Sequence, residues 1–510
     1  MTSSGLFQLL NNRSSLDEIL YERKLLVNNI ETIRSQLEEA YLSRIQRVRA
    51  SSSPDREKRL EYLMSHKEQL IEPTSEHLKK THFSFINYYY KPCVPLVMSY
   101  NPIQATGIQL FGGTMEFRIP VLGQFISDGF FHITISSLST TSTSDRVKYA
   151  EYLGHKMVKN VKLLFEDSLI NEYTSEEYNR FYNFDLNEDN VPAWLRTVGQ
   201  EAPIEANLIH DPTQQNIRER VLILNGNQTL KNSHSQIDLY VPHLFWFRDS
   251  SYALPIMNLK NNSLVMKIEL SALTDLVAAV NNGGGGTYNT PTVKVELILN
   301  YLYVEKPVFD LYFSKANQIV VTMPRFVQQE VASASGDLNL SHLKYPVKGI
   351  YIAFRPKSNL LIVDYWHRNY SITSTNLDVP VINSVLGVPT LAIQDVQYQV
   401  ETSIVDTLSM FVGANTLFPT NLVQFFNTAT PMFRGTLLSP RERGWYFFQL
   451  SNDPKSNQPQ GHLNFSVMPD TRVRYVSSWI SSTNVAMVYI IAETYIVLNI
   501  ANGIISYDKL

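Results

Sequence analysis

Cysteine is nearly absent from this sequence: Cys93 is the only one among 510 residues. A single thiol cannot form an intramolecular disulfide, so the sequence indicates a protein that folds in a reducing compartment. It also cannot build a thiolate metal site, and the 11 histidines form no HxH or HExxH pair. We therefore expect neither a bound metal nor a cofactor.

An excess of one charge and long apolar runs are also missing. The chain has 44 Lys and Arg against 47 Asp and Glu, a net charge of −3, which argues against sequence-specific nucleic-acid binding. No stretch reaches the ~18 apolar residues that a membrane span needs. The nearest, residues 485–505, is interrupted by Glu493, Asn499 and Asn502, and the apolar run at residues 6–10 is too short for a secretory signal. These absences predict a soluble chain that is not exported by the usual route.

Motifs of enzyme chemistry are incomplete or absent. There is no GxSxG elbow, and Gly283–Gly286 lacks the Lys-Ser/Thr of a phosphate loop, which favours a flexible hairpin tip. Asp185–Asp189 copies the first ligands of a calcium loop, but Asn190 occupies the position of the required Gly and Arg196 that of the final Glu. We therefore expect no enzyme and name no catalytic, cofactor-binding or metal-binding residue. A pair of carboxylates far apart in the sequence stays open.

The first eighty residues read as helix. Ser15 and Glu18 form a capping box, and a second helix is predicted from Pro54, in the first helical position, to Pro73. Between them runs an apolar seam with spacings typical of a bundle, Ile19, Leu26, Ile30, Ile33, Leu37 and Ala40. This helical arm, residues 1–80, either docks on a partner chain or packs on its own domain. The basic residues Arg44, Arg47 and Arg49 favour a solvated face over a nucleic-acid site.

From residue 81 onward, apolar residues recur at every second position instead of at helical spacing. Alternation over Met115–Ile119, Val161–Phe165, Leu264–Leu270 and Val293–Leu299 predicts strands with one wet face. Further strands are predicted later in the chain, at Ile319–Val321, Gly349–Phe354, Ala392–Val400, Trp445–Leu450, His462–Val467 and Val485–Ile500. No long helix is expected after residue 80.

Many strands without a βαβ rhythm predict sandwiches or jelly rolls. The 430 residues after the arm (510 − 80) divide into about 215 for each of two all-β domains. We expect a first jelly roll at residues 81–304, a linker at 305–316 and a second jelly roll at 317–510.

Ordered motifs in these strands resemble the major capsid proteins of nucleocytoplasmic large DNA viruses. Gln458–Ser466, QPQGHLNFS, follows the aromatic strand Trp445–Leu450 and resembles the family's QPSGxxNFS signature, with Gln460 in place of Ser. Phe245–Phe247 with Ala253–Ile256 is similar to its FWF…ALP element. Tyr149–Leu163 looks like a further strand of that family.

Three further segments make the African swine fever virus type the best likeness within that family. These are His82–Pro95, which resembles the entry to its first jelly roll, and Leu343–Val347 with Tyr365–Arg368, which resembles the opening of its second. The helical arm is longer, and the loops are shorter, than in that type.

The resemblance implies an all-β double jelly roll with an N-terminal helical arm, which assembles as a homotrimer. Such trimers form pseudo-hexameric capsomers that tile the icosahedral shell of a large double-stranded DNA virus. The implied partners are copies of the chain, minor capsid proteins and internal membrane proteins at the base, and an assembly chaperone. The implied location is the virion capsid, assembled in the host cytoplasm.

Within this picture, the loops at Asn281–Thr290 and Asp185–Gly199 are expected at the barrel ends, with the glycine tip outward and the arm at the base. Two other functions stay open. One is a capsid-derived scaffold that shapes an immature virion membrane, and the other is a carbohydrate-binding jelly roll.

Overall fold

The computed structural model divides the chain into two compact units. One comprises Met1–Val97, Ser250–Tyr252 and Val304–Ala316, and the other Met98–Asp249, Ala253–Tyr303 and Asn317–Leu510. The structure describes residues 37–50, 55–67, 96–200, 204–210, 218–223, 227–257, 259, 263–281, 284–306, 309–310, 318–385, 388–434, 440–457, 459–468, 470–501 and 504–508.

The first unit contains a helical hairpin. Helix α1 covers residues 37–50 and helix α2 covers Arg56–Ser65. The Tyr41 hydroxyl donates to the Leu63 carbonyl oxygen at 2.9 Å, and both side chains are buried between the helices. Helix in this part of the arm is confirmed, while the capping box at Ser15 and the predicted helix ends at Pro54 and Pro73 lie outside the described residues.

The second unit contains sixteen principal strands, except for the first two residues of β1 and the last residue of β8, which are counted with the first unit. They are β1 Leu96–Gln104, β2 Thr114–Arg118, β3 Phe125–Ile135, β4 Val158–Phe165, β5 Ser168–Thr174, β6 Ile237–Pro242, β7 Leu264–Leu270, β8 Val293–Val304, β9 Gln318–Val331, β10 Ser335–Asn339, β11 Pro346–Pro356, β12 Thr407–Val412, β13 Asn415–Leu422, β14 Trp445–Gln449, β15 Thr471–Val476 and β16 Ala486–Ala501.

These strands follow one winding pattern twice. The first eight form sheets in the order β1-β8-β3-β6 and β2-β7-β4-β5, and the last eight form sheets β9-β16-β11-β14 and β10-β15-β12-β13. Adding eight to each strand number of the first pair of sheets gives the second pair. Two four-stranded antiparallel sheets that exchange strands in this way are a jelly roll, so the chain is a double jelly roll.

Alternating sequence explains why most of these strands form. In β7, Leu264, Met266, Ile268 and Leu270 are buried, while Lys267 and Glu269 between them are half-buried. The predicted strands β2, β4 and β8 are confirmed for the same reason, because an apolar residue at every second position buries one face of a sheet.

Connections between the principal strands carry shorter elements. The further helices are α3 Leu153–Met157, α4 Ser175–Phe184, α5 Val191–Thr197, α6 Leu273–Leu276 and α7 Thr430–Arg434, with a π turn at Phe425–Ala429 and 3-10 turns at Glu188–Asn190, Trp246–Arg248, Ser250–Tyr252, Ser341–Leu343 and Lys357–Leu361. The further strands are Leu138–Ser139, Arg146–Tyr149, Ile204–His210, Arg218–Ile223, Ser233–His234, Leu254–Pro255, Val277–Asn281, Gly284–Gly285, Ser371–Val385, Val388–Thr402, Leu463–Asn464 and Ile504–Asp508. Ser371–Val385 pairs with Val388–Thr402 along its whole length and forms a long two-stranded ribbon.

Three sequence predictions need correction. The expectation of no long helix after residue 80 is not among them, because α4, with ten residues, is a helix of ordinary length. The Asp185–Gly199 region is largely helical rather than a loop, since a 3-10 turn and α5 occupy it. Tyr149–Leu163 is broken by α3, and His462–Val467 keeps only two strand residues. The glycine hairpin is confirmed, because Val277–Asn281 pairs with Gly284–Gly285.

Candidate functional site: the joint between the two jelly rolls

Helix α4 starts directly after strand β5 of the first jelly roll and lies against the second. Its C-terminal residue, Phe184, is fully buried. The Phe184 ring centroid lies 4.9 Å from that of Tyr351 on β11 and 6.2 Å from that of Trp445 on β14. We call α4 and the β11–β14–β16 surface that it contacts the inter-barrel joint.

The most deeply buried charge of the joint is Arg355 on β11, which is fully enclosed. Its Nη1 and Nη2 donate to the two carboxylate oxygens of Glu176 on α4 at 2.6 and 2.7 Å. The Arg355 Nε donates to Asn369 Oδ1 at 2.9 Å, and its guanidinium lies 4.4 Å from the ring of Tyr489. Burial opposes the charge on Arg355, but Glu176 raises its pKa. This two-pronged pair fixes the start of α4 on the second barrel.

A second buried arginine, Arg180, holds the next turn of the helix. Its guanidinium lies 2.6 Å from Glu177, 2.8 Å from Asp185 and 3.4 Å from Glu493 of β16. Burial opposes its charge, but these carboxylates raise the pKa of Arg180 above its ordinary value. Asp185 of the apparent calcium loop is therefore paired with an arginine.

The C-terminal end of α4 is held by the segment that precedes β14. Arg441 donates to the carbonyl oxygens of Tyr182 and Leu186, the latter at 2.6 Å, and pairs with Glu188 at 3.1 Å. The backbone N–H of Glu442 donates to Asn183 Oδ1 at 2.8 Å. The acidic segment thus contacts one basic residue of the second barrel, Arg441.

A histidine between two carboxylates extends the joint. His367 Nε2 lies 2.8 Å from Glu151 Oε2, and its Nδ1 lies 2.9 Å from Glu442 Oε1. Burial works against its protonation, yet Glu442 and Glu151 raise the pKa of His367 to about 9. The neighbouring Trp366 Nε1 donates to the Glu151 carbonyl oxygen at 2.7 Å, so this contact also links the two barrels.

Two clefts adjoin α4, with volumes of about 480 and 340 Å³. Their walls mix acidic, basic and aromatic side chains from both barrels, including Lys156, Glu269 and Trp366 in the larger cleft. Within the part of the chain that the structure describes, no three His, Cys, Asp or Glu residues are gathered as metal ligands. Nor does any helix among those residues have the length and apolar character to cross a bilayer.

The joint is suited to holding the two barrels rigidly together, because buried ion pairs and packed aromatic rings fix one barrel against the other. Sequence reasoning missed it, since α4 is rich in polar residues and its partners lie far along the chain. Part of the capsid-like motifs lies in the joint, because Trp366 and His367 contact Glu151, and Trp445 packs near Phe184. Other parts lie elsewhere: Phe245 and Phe247 are buried, with Trp246 starting a 3-10 turn, and Asn464 ends a two-residue strand.

Comparison with known proteins identifies the family. The family model described as "Major capsid protein N-terminus" matches residues 97–305. The hexon protein p72 of African swine fever virus is 18% identical over 99% of this chain and 99% of that protein. The chain belongs to the double jelly-roll major capsid proteins of large DNA viruses.

Other relatives of this capsid protein agree. The major capsid protein of Spodoptera frugiperda ascovirus 1a is 24% identical over 38% of each chain. The solved Faustovirus major capsid protein has the same fold, with a TM-score of 0.70, 19% identity and coverage of 94% of this chain and 98% of that one. The quasi-atomic model of the PBCV-1 virus capsid has a TM-score of 0.59 at 15% identity, and covers 84% of this chain and 100% of that one.

The capsid protein is therefore a structural protein of the icosahedral capsid of a large double-stranded DNA virus, and not an enzyme. Assembly of a capsid implies that it associates with copies of itself. The double jelly roll expected from the motifs is confirmed, and the domain boundaries stay a prediction.

Proposed function

We propose that three copies of this capsid protein form a pseudo-hexameric capsomer, and that these capsomers tile the icosahedral shell. The observation that carries the proposal is the repeated winding of β1–β8 in β9–β16. Two similar barrels in each of three chains place six similar units around a threefold axis, which gives a nearly hexagonal outline. The inter-barrel joint supports this, because fixed barrels keep the hexagon regular.

Light scattering after size exclusion tests the trimer directly. The chain has a mass of 58.4 kDa, so three copies would weigh about 175 kDa. We expect that mass for the purified full chain and hexagonal outlines in negative-stain images. A monomer that persists across salt conditions and after co-expression with an assembly chaperone would contradict the proposal.

The helical arm, in this proposal, contacts minor capsid proteins or internal membrane proteins at the base of the capsomer. Its support is the hairpin of α1 and α2, whose outer surface carries exposed Leu42, Tyr62 and Met64. Deletion of residues 1–80 should leave trimers intact and abolish shell assembly. Loss of the trimer itself would contradict this role.

Assembly is placed in the host cytoplasm and assisted by a chaperone. The support for the compartment is the single Cys93, and that for the chaperone is the large share of contacts between strands distant in sequence, which makes folding slow. The near balance of charge supports a shell that does not read DNA sequence. Expression with and without the viral chaperone should change the yield of soluble trimer, and an equal yield would contradict that partner.

A further inference from the structure

The two barrels use equivalent helices in different ways. Strand β5 is an edge strand of the first barrel and is followed at once by α4, while β13 is the equivalent edge strand of the second. Residues 423–434 follow β13 and are also helical, through the π turn Phe425–Ala429 and α7. We call residues 423–434 the second-barrel helix.

The first of these helices is almost wholly buried, whereas the second buries Val423 and Phe426 and leaves its other side exposed. Phe184 of α4 lies within the aromatic cluster of the inter-barrel joint. In the second-barrel helix, Phe433 is 81% exposed and Met432 is 63% exposed, and Phe425 and the preceding Leu422 are exposed as well. None of residues 407–433 is Asp, Glu, Lys or Arg. Arg434 follows directly, and exposed Phe and Met beside an Arg are typical of the core of a protein interface, where aromatic residues, Met and Arg are enriched.

The sheet surfaces on which such a helix could pack also differ in exposure: that of the second barrel is covered and that of the first is not. Every position of β11 is buried, because the core covers one face and α4 covers the other. In the equivalent β3, alternate positions from Asp128 to Thr134 are only half-buried. Strand β14 is buried along Trp445–Phe448, while the equivalent β6 leaves Tyr240 41% exposed.

This outward face of the first barrel has an aromatic surface. His132 stacks on Tyr240 with ring centroids 4.6 Å apart, and Tyr100 of β1 lies 6.4 Å from Phe130 of β3. The register places Phe130 opposite both Pro242 and Ile298. We define the outward face by Tyr100, Phe130, His132, Tyr240 and Ile298.

We propose that the second-barrel helix of one chain packs on the outward face of the first barrel of a second copy, as α4 packs on the second barrel of its own chain. The inference rests on the proposed trimer and names the surface that forms it. Because the contact joins two different surfaces, it repeats in one sense around an axis, and it closes a three-membered ring when successive copies are related by a threefold rotation. Within the ring, α4 links the barrels of one chain and the second-barrel helix links one chain to the next.

The first test replaces exposed residues, so that folding is spared. Met432→Ser with Phe433→Ser should raise the concentration at which half of the chains are trimeric by roughly 30-fold or more, the scale of an interface hot spot. The matched control is Leu361→Ser with Ile362→Ser, an adjacent apolar pair that is 88% and 41% exposed. The control should remain trimeric, and both variants should keep the circular dichroism of the unsubstituted protein.

A photo-crosslinking amino acid at position 433 of the otherwise unchanged chain gives a readout that does not depend on destabilisation. Covalent dimers should map by mass spectrometry to peptides containing Tyr100, Phe130 or Tyr240 of a second copy. A trimer that survives the double substitution, or cross-links that map elsewhere, would overturn this inference alone. A monomeric unsubstituted protein would overturn the trimer as well.

Discussion

Helix α4 and helix α2 both have ten residues, yet the protein uses them in opposite ways. Eight residues of α4 are buried, among them Glu176, Glu177, Asn179 and Arg180, whereas Leu63 is the only buried residue of α2. The polar sequence of α4 is enclosed because the second barrel supplies partners for its charges. The difference shows that α4 is an enclosed part of its folded unit, whereas α2 buries a single residue and leaves the rest of its surface open.

The largest effect should come from removing the buried arginine that pairs with Glu176 of α4. Arg355→Met leaves Glu176 buried without its partner, and we expect the free energy of unfolding to fall by about 3–5 kcal/mol. Urea denaturation followed by tryptophan fluorescence measures this. The control is Lys357→Met, whose exposed pair with Glu330 contributes at most about 1 kcal/mol. Adding Glu176→Gln to Arg355→Met should recover part of the loss, and an Arg355→Met cost no larger than the control's would contradict the joint.

A second large effect should follow from removing the aromatic end of α4. Phe184→Ala empties a site between Tyr351, Trp445 and Phe447. We expect a loss of about 3 kcal/mol in the free energy of unfolding, within the range for buried Phe→Ala substitutions. The control is Phe425→Ala, measured on the monomeric chain, in which this ring is exposed. It should lower the free energy of unfolding by less than about 1 kcal/mol. Equal costs for the two substitutions would show that α4 is not docked as described.

The joint should also be sensitive to alkaline pH through His367. Its folded pKa of about 9 lies above the ordinary value of 6.5, so protonated His367 stabilises the fold fully below pH 6.5. This stabilisation, at most roughly 3 kcal/mol for a buried group, is lost as the pH rises through about 9. The free energy of unfolding should therefore decline between pH 6.5 and 9, and His367→Gln should remove most of that slope. An unchanged slope in the variant would rule out this origin.

The sequence patterns predicted the strands in which apolar residues alternate. They did not predict helix α4, whose burial depends on charged partners. Strand β7 was predictable because Leu264, Met266 and Ile268 alternate with Lys267 and Glu269. The continuous apolar run of β11 predicted a strand, but not what covers its second face. Helix α4 carries Ser-Glu-Glu at its start, and its burial depends on Arg355. Because Arg355 is far from α4 in the sequence, no local pattern connects the two. The capsid-like motifs gave the family, but the joint required the fold.

The smallest effect on the second unit should come from a substitution in the arm. Leu63→Ala removes one of the two buried side chains between α1 and α2. Amide exchange in residues 37–50 and 55–67 should accelerate on the order of 30-fold, since burial of a Leu contributes at least about 2 kcal/mol. The main calorimetric transition should move by less than about 1 °C, because the principal strands belong to the other compact unit. Leu42→Ala, at a 57% exposed position of α1, should change neither quantity. A main transition that falls with Leu63→Ala as it does with Phe184→Ala would mean that the arm is as much a part of the folded core as α4.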